Sequence, residues 1–342
     1  MNKQPLLLAL TGLPGAGKST ASTAIARMIE TMGRKVAQCS IGKPLYDVQR
    51  EAYARMGTEL GTGQQDGELL NFFGAHFRKV QPLFLMEDFA RRCRYLHLLG
   101  HDAIVCDDAR PIDLQRLQLL GFKIVEIKAP DDLRRERKLS RADATIGDDK
   151  HITEKGEVSV HASVHVINDK GLDDLDRMLR NIVSKWCSQP VASTDQLRWI
   201  TDRDAAIHDF VGEATAYISE RYVEERHQIG AAVLCQDGSI TFGLHIEAAV
   251  GRASTCAEAM ALGRALELRQ AIPQLIVAVR HPKPGEDGNS RIVPPCGLCR
   301  ELLLDYNPKM KAILQNGESQ SIVEISSLLP AKYIPSKWKQ SG

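Results

Sequence analysis

The sequence predicts an α/β protein of two domains: a three-layer domain on a parallel sheet, followed by a smaller α/β/α domain. Three observations carry this. In the first half, short apolar runs alternate with segments of helical period, the pattern of parallel strands joined by crossover helices. A glycine-rich loop, Gly12-Leu13-Pro14-Gly15-Ala16-Gly17-Lys18-Ser19, directly follows the first of those runs. In the second half, a turn-linked strand pair precedes two cysteine-bearing segments, each at the expected start of a helix.

Taken in order, strands are expected over Leu6–Thr11, 35–39, 103–106, 123–127 and Val164–Ile167, with helices between them. A helix over 171–186 sets Leu172, Leu175, Met178, Leu179, Ile182 and Val183 on one face and closes the first domain, residues 1–188. The polar, proline-containing stretch 189–201 reads as a linker. The second domain, 202–342, opens with a helix. Strands over Ile229–Cys235 and 239–245 then meet at Asp237-Gly238, a strong hairpin signal. A helix over 255–270, a strand over 275–279 and a helix from Cys296 follow.

With 342 residues, 43% of them apolar, the chain has material for more than one core. Its 44 basic and 43 acidic residues leave a net charge of +1, which gives no broad attraction to nucleic acid or anionic membrane, so small ligands are expected. The apolar run from Pro5 to Leu10 is short and enters the glycine-rich loop rather than a cleavage site. No stretch approaches transmembrane length. Of eight scattered cysteines only Cys256, Cys296 and Cys299 are grouped like ligands, and a reducing cytoplasm is the expected location.

Cys256-Ala257-Glu258, followed by Pro295-Cys296-Gly297-Leu298-Cys299-Arg300, carries the chemistry of the second domain. Three thiolates leave one tetrahedral position of a zinc ion open for water, as a catalytic site requires. Unpaired amides and the positive dipole at helix N-termini can stabilise thiolate charge, and Arg300 and Arg252 are candidates to donate further hydrogen bonds to sulfur. Glu258, two residues after a ligand, can reach the water without binding zinc and shuttle its proton to a ring nitrogen. A structural knuckle is the bland alternative. The three-ligand count and the adjacent carboxylate speak against it.

Residues 202–338 resemble the cytidine deaminase family, and within it the blasticidin S deaminases. The resemblance lies in Gly230-Ala231-Ala232, His245-Ile246-Glu247-Ala248, Thr255-Cys256-Ala257-Glu258-Ala259, the run from Ile276 to Pro282, and the run from Pro295 to Leu302. It implies hydrolytic deamination of cytosine to uracil by Zn2+ on Cys256, Cys296 and Cys299, with Glu258 catalytic, and a homo-oligomeric assembly. It also implies substrate contacts from His245 and Glu247. His245 stands where asparagine is usual and Ala259 where arginine is usual; both departures agree with the blasticidin branch and leave room for an altered sugar or a phosphorylated ligand. His281 reads as a packed or solvent-facing side chain rather than a fourth ligand. Tyr333 and Trp338 either cover the pocket or anchor the tail.

In the first domain, Gly12, Gly15, Ala16 and Gly17 form a loop whose amides can face phosphate oxygens. Lys18 can bridge the outer phosphates, Ser19 can bind Mg2+ and Thr20 supports the helix start, so ATP with Mg2+ is the expected cofactor. Asp107 or Asp108, after the third strand, would hold Mg2+ through water or orient an acceptor hydroxyl. Arg134, Arg135, Arg137 and Arg141 form a basic run on a helix and lid that can neutralise phosphates, or else a solvated face. Residues 5–186 resemble P-loop nucleoside monophosphate kinases, most nearly the phage-type deoxynucleotide kinases, in Asp107-Asp108-Ala109-Arg110-Pro111, in the segment 71–94 that includes Arg78, and in Val166-Ile167-Asn168-Asp169. The expectation is therefore a deaminase fused to an ATP-binding domain that phosphorylates nucleotides. The alternatives are an antibiotic deaminase, and a deaminase switched by a nucleotide-sensing P-loop module in phage defence.

Overall fold

The computed structural model describes residues 4–61, 63–140, 143–145, 158–188, 195–268, 272–286 and 288–333. They form two compact units, 1–201 and 202–342.

Unit 1 is built on five parallel strands: β1 (Leu6–Thr11), β2 (Val36–Gln38), β3 (Ala103–Ala109), β4 (Lys123–Lys128) and β5 (Val164–Ile167), in the order β2-β3-β1-β4-β5. Strand β1 is apolar along most of its length and wholly buried, as a central strand covered on both faces must be. Its alternating side chains serve two cores. Leu7 and Ala9 meet Phe89, Cys93 and Leu96 of the helix Phe84–Leu98. Leu6, Leu8 and Leu10 meet Ile25 and Ile29 of the helix Lys18–Thr31 and Leu175, Leu179 and Val183 of the helix Leu172–Ser188. Each such leucine contributes about 1.5–3 kcal/mol on burial.

Two sequence expectations need correction. Strand β3 does not stop at Cys106 but runs through Asp107 and Asp108 to Ala109, because Thr11 pairs with Ala109 and extends the ladder. The described end of the expected linker, 195–201, is folded: Leu197 and Ile200 lie in the first core, Trp199 Nε1 donates to Leu120 O and Arg94 Nε donates to Trp199 O. Its apolar residues override its polar average. Residues 189–194 lie outside the described part.

Unit 2 has a six-stranded mixed sheet: β6 (Ile229–Cys235), β7 (Ile240–Leu244), β8 (Pro273–Arg280), β9 (Arg291–Val293), β10 (Lys311–Asn316) and β11 (Ser319–Glu324). The order is β11-β10-β8-β6-β7, with β9 on β8. Gly238, at φ +79°, makes the turn between β6 and β7. On one face, Ala231, Val233 and Cys235 pack with Ala257 and Ala261 of the helix Ala257–Glu267 and Leu303 of the helix Gly297–Tyr306. The opposite face meets Ile218 of the helix Arg203–Ser219, against which Gly230 is pressed. Gly243 lets β7 touch the Ala257–Glu267 helix; a Cβ there would collide with Ala257 O and Ala261 N. The site therefore sits on a strand and helix in backbone contact. Among the described residues no helix is long and apolar enough to cross a membrane.

Candidate functional site

Cys256 and Cys296 are the N-cap residues of the two helices on the same face of the unit 2 sheet, both extended at ψ 144° and 171°, and neither side chain caps its own helix. Both sulfurs are thereby left for other work. Cys299 lies on the first turn of the second helix and is buried. The Cys256 and Cys296 Sγ atoms are 3.7 Å apart, and all three sulfurs lie within 4.8 Å of one another. Tetrahedral zinc with bonds of about 2.3 Å separates its sulfurs by about 3.8 Å, so the residues fit that ion. Burial raises the Cys256 thiol, and raises Cys299 far above its ordinary range with further repulsion from Glu258. Burial also acts upward on Cys296, but hydrogen bonds with the Cys299 amide and thiol outweigh it and hold Cys296 low. Placing three thiolates and a carboxylate together demands a compensating cation.

Glu258 is 6% exposed, and burial raises its carboxyl above the usual range against the opposing effect of its own backbone amide, the Cys299 thiol and His245. A bridge between Ile246 and Thr255, Ile246 N to Thr255 O at 3.0 Å and back at 2.9 Å, ties the end of β7 to the residue before Cys256. This brings His245 and Glu247 to the site. His245 Nε2 is 3.4 Å from Glu247 Oε2, while its buried Nδ1 has no partner among the described residues. Glu247 also accepts from Ser254 Oγ at 2.8 Å. His227, which the sequence reading missed, stands beside them, its Nδ1 2.9 Å from His245 O. The available signal was its position just ahead of β6, next to the matching Gly230-Ala231-Ala232.

Other expectations divide. Arg300 does not serve the sulfurs: its Nε donates to Pro295 O at 2.8 Å and its Nη1 to Leu328 O at 3.0 Å, fixing the chain around Cys296. Arg252 is exposed on the short turn Gly251–Ala253. His281 stacks on Tyr222 at 4.2 Å and is not among the clustered ligand atoms. Tyr333 is exposed, and the adjoining Lys332 bonds Glu301 and Asp305 at 2.7 and 2.6 Å, anchoring that segment to the Gly297–Tyr306 helix. Trp338 lies outside the described residues.

In unit 1 the glycine-rich loop leaves the carboxyl end of the central strand, where open α/β sheets place their ligand crevice. Gly12, Gly15 and Gly17 have φ of +139°, +84° and +95°, and a Cβ at each would strike Ile127 O, Arg134 O and Asn168 Nδ2 respectively. A cleft of about 710 Å³ is lined by Gly15, Gly17, Lys18, Ser19, Thr20, both Asp107 and Asp108, and Arg137 and Lys138, the Arg137 Nη1 lying 3.5 Å from Gly15 O. Gly12 and Ala16 frame the loop instead: Lys18 Nζ donates to Gly12 O at 2.6 Å, and Asn168 Nδ2 to Ala16 O at 2.8 Å. The two aspartates differ. Asp108 accepts from the Ile41 and Gly42 amides at 2.7 and 2.8 Å; Asp107 accepts from Ser40 Oγ at 3.0 Å and also bonds Ser19. Burial, and then the Asp108 charge, raise the Asp107 carboxyl. The arginine run is divided as well. Arg134 is buried, donating to Pro14 O at 2.9 Å and Asp131 at 2.7 Å, so it braces the loop rather than facing the cleft. Arg135 is exposed and Arg141 lies outside the described residues.

The three cysteine sulfurs form a cluster able to hold a metal ion, with the buried Glu258 carboxyl group close by in the chain. Residues 205–314 match the family described as the cytidine and deoxycytidylate deaminase zinc-binding region. The blasticidin-S deaminase of Bacillus cereus is 40% identical over 126 residues, 36% of this chain and 90% of that protein. The cytidine deaminase of Halalkalibacterium halodurans is 37% identical over 112 residues, 32% of this chain and 78% of its own length. Among solved structures, the cytidine deaminase from Bacillus anthracis aligns at 19% identity over 37% of this chain and 88% of that one, with a TM-score of 0.33. Through its second unit the chain belongs to the cytidine deaminase family.

Proposed function

We propose that unit 2 hydrolyses the amino group of a cytosine-containing nucleoside or nucleotide, giving uracil and ammonia, and that unit 1 is a P-loop kinase-like domain binding ATP with Mg2+. The observation that carries the first part is the cluster of Cys256, Cys296 and Cys299 within 4.8 Å, with the buried Glu258 two residues from a ligand. Zinc on these thiolates supplies a Lewis acid that lowers the pKa of water. Glu258 takes a proton from the attacking water, delivers it to the ring nitrogen and then assists the departing amine. Burial of Glu258 excludes solvent and keeps the proton on this path. His245 and Glu247, fixed by the Ile246 and Thr255 bridge, hold the sugar.

In unit 1, the Gly15 to Ser19 amides and Lys18 receive the phosphates. Asp107, bonded to Ser19, is the acidic partner for Mg2+, since Asp108 is engaged by the Ile41 and Gly42 amides. Likeness to the Bacillus cereus protein supports a second reading, in which blasticidin S is the substrate.

One screen tests these readings. Ammonia release is measured over cytidine, deoxycytidine, their monophosphates and blasticidin S, alongside metal analysis of the purified chain. The expected result is roughly one zinc per chain and turnover of at least one cytosine compound. Protein without zinc, or without ammonia release from any of them, overturns the proposal.

A further inference from the structure

Unit 1 buries Cys39, Cys93 and Cys106, none of which the proposed sites use, and the first two meet at a buried arginine. Cys39 follows β2, while Cys93 stands next to Arg92 on the helix Phe84–Leu98 and donates a hydrogen bond to the Cys39 sulfur. Arg92 is 2% exposed. Its Nη1 donates to Cys39 Sγ at 3.0 Å, its Nη2 to Ser40 O at 2.7 Å and its Nε to Asp88 at 2.7 Å. A buried cation needs a matching charge, and Asp88 is shared with Arg91 at 2.6 Å, so the Cys39 sulfur is the other partner able to carry it. Burial acts upward on the Cys39 thiol, but the Cys93 hydrogen bond and the Arg92 charge outweigh it and hold Cys39 low. Burial, and then Cys39 itself, push Cys93 up. One sulfur is thereby poised as a thiolate beside a partner that keeps its proton, the division between an attacking and a resolving cysteine.

The turn that begins at Cys39 also positions the acids of the phosphate cleft. Ser40 Oγ donates to Asp107 at 3.0 Å, and the Ile41 and Gly42 amides donate to Asp108 at 2.7 and 2.8 Å. Arg92 holds this turn from behind through Ser40 O. Ser40 lines the cleft, one residue from Cys39, so a small oxidant in the cleft reaches the sulfur when the turn opens locally. A bond between the two sulfurs would bring them to about 2.05 Å, drawing Cys39 toward the helix and taking the thiolate from Arg92. A close-packed core passes such a shift to its neighbours, and the nearest neighbour along the chain is Ser40.

We infer that Cys39 and Cys93 are a redox pair, whose disulfide withdraws the turn from Asp107 and Asp108 and switches off Mg2+-dependent nucleotide binding in unit 1. The pair stands on its own geometry; its effect on nucleotide binding rests on the phosphate-binding reading of unit 1. The oxidant is a hydroperoxide. The Cys39 thiolate attacks one peroxide oxygen, the O–O bond breaks with its electron pair, and the departing oxygen takes up a proton. The Cys93 sulfur then bonds to the Cys39 sulfenic acid sulfur, and the hydroxide that leaves takes the Cys93 proton. Two thiols lose two electrons and two hydrogens, and the hydroperoxide is reduced to an alcohol and water.

The test exposes the zinc-loaded full chain briefly to hydrogen peroxide and then to a dithiol reductant. Disulfides are located by peptide mass mapping, which keeps oxidation of the zinc thiolates apart from that in unit 1, and ATP binding is measured with Mg2+ and with a chelator. A peptide linked through Cys39 and Cys93 is expected, with ATP affinity in Mg2+ falling at least about tenfold and recovering in the reductant. Affinity in the chelator should not change, and Mg2+ with ATP bound beforehand should slow the linkage by holding the turn closed. Cys93→Ala, which leaves Arg92 and Ser40 in place, is expected to bind ATP as the parent does and to keep that affinity through the same exposure. Absence of the linked peptide, unchanged Mg2+-dependent binding in the linked protein, or an equal fall in Cys93→Ala overturns the inference. ATP binding absent in both redox states would remove the phosphate reading, and the thiol pair would then stand or fall on the linked peptide.

Discussion

Both units place their reactive groups where a helix begins against a sheet, but they fill the turn before the helix differently. In unit 1 the N-cap is Gly17, left-handed and without a side chain, so the orphan amides of the helix Lys18–Thr31 stand bare. In unit 2 the N-caps are Cys256 and Cys296, extended, with sulfurs directed elsewhere than their own helices. A site made of backbone amides suits an anion that comes and goes. A site made of thiolates suits a resident cation. The bracing differs accordingly: the glycine-rich loop is held from behind through its carbonyls by Asn168 and Arg134, while the cysteine turns are held by a strand bridge and by Arg300.

The largest expected effect strikes one unit alone. Glu258→Ala should lower deamination by about 10²–10⁴-fold, the worth of a positioned proton shuttle, with zinc content and ATP affinity unchanged. Activity within a few-fold of the parent protein would remove Glu258 from the mechanism. Next, Lys18→Ala should weaken ATP binding about 100-fold, as loss of a charge-assisted contact to phosphate implies. Deamination rates measured in the same protein with and without ATP then show whether the units act independently. A rate that responds to ATP only when Lys18 is present would replace independence with coupling.

How far the sequence alone reached follows the same division. Strands β1, β5 and β6 were legible to the residue, because each is a short apolar run bounded by turn signals. The cysteine turns were legible because ligand spacing and helix starts coincide. Strands β9 and β11 were not: one is three residues long and the other, Ser319–Glu324, is mostly polar. Strand β10 was passed over although Ala312-Ile313-Leu314 is apolar, since a run so short does not separate strand from helix. In the sites, side-chain identity misled where tertiary partners decide. Arg134 and Arg137 are alike in a charge run, yet one is buried against Pro14 O and the other lines the cleft. Asp107 and Asp108 are adjacent, and partners far away in sequence tell them apart: the amides of Ile41 and Gly42 for Asp108, Ser40 and Ser19 for Asp107.

A different kind of effect separates the units by pH. His101 in unit 1 is buried, and that burial, with the nearby Lys35 charge, lowers it to about 4 from an ordinary 6.5. The unfolded chain therefore binds a proton that the folded unit refuses between these values. The contribution of neutral His101 is intact above about pH 6.5 and is lost as pH falls toward 4, at a total of about 3 kcal/mol. Thermal melting of the full chain at pH 7.5, 6 and 5 should show the unit 1 transition falling, and His101→Gln should flatten that fall. An unaltered slope in the variant would assign the acid sensitivity elsewhere.

The smallest effect tests the boundary itself. Asp202, the first residue of unit 2, accepts from Ala205 N at 3.0 Å and caps the helix Arg203–Ser219, whose Phe210, Ala214 and Ile218 are fully buried. Asp202→Ala should cost about 1 kcal/mol, and Asp202→Asn, which keeps the accepting oxygen, only a few tenths. In a unit of this size the alanine variant should lower the melting temperature by a few degrees. Because residue 201 closes the other unit, the unit 1 transition and its ATP affinity should stay where they were. A matching shift in unit 1 would mean that the two melt as one cooperative body, and the contrast between a helix start of bare amides and helix starts capped by cysteine would then lie within a single folding unit.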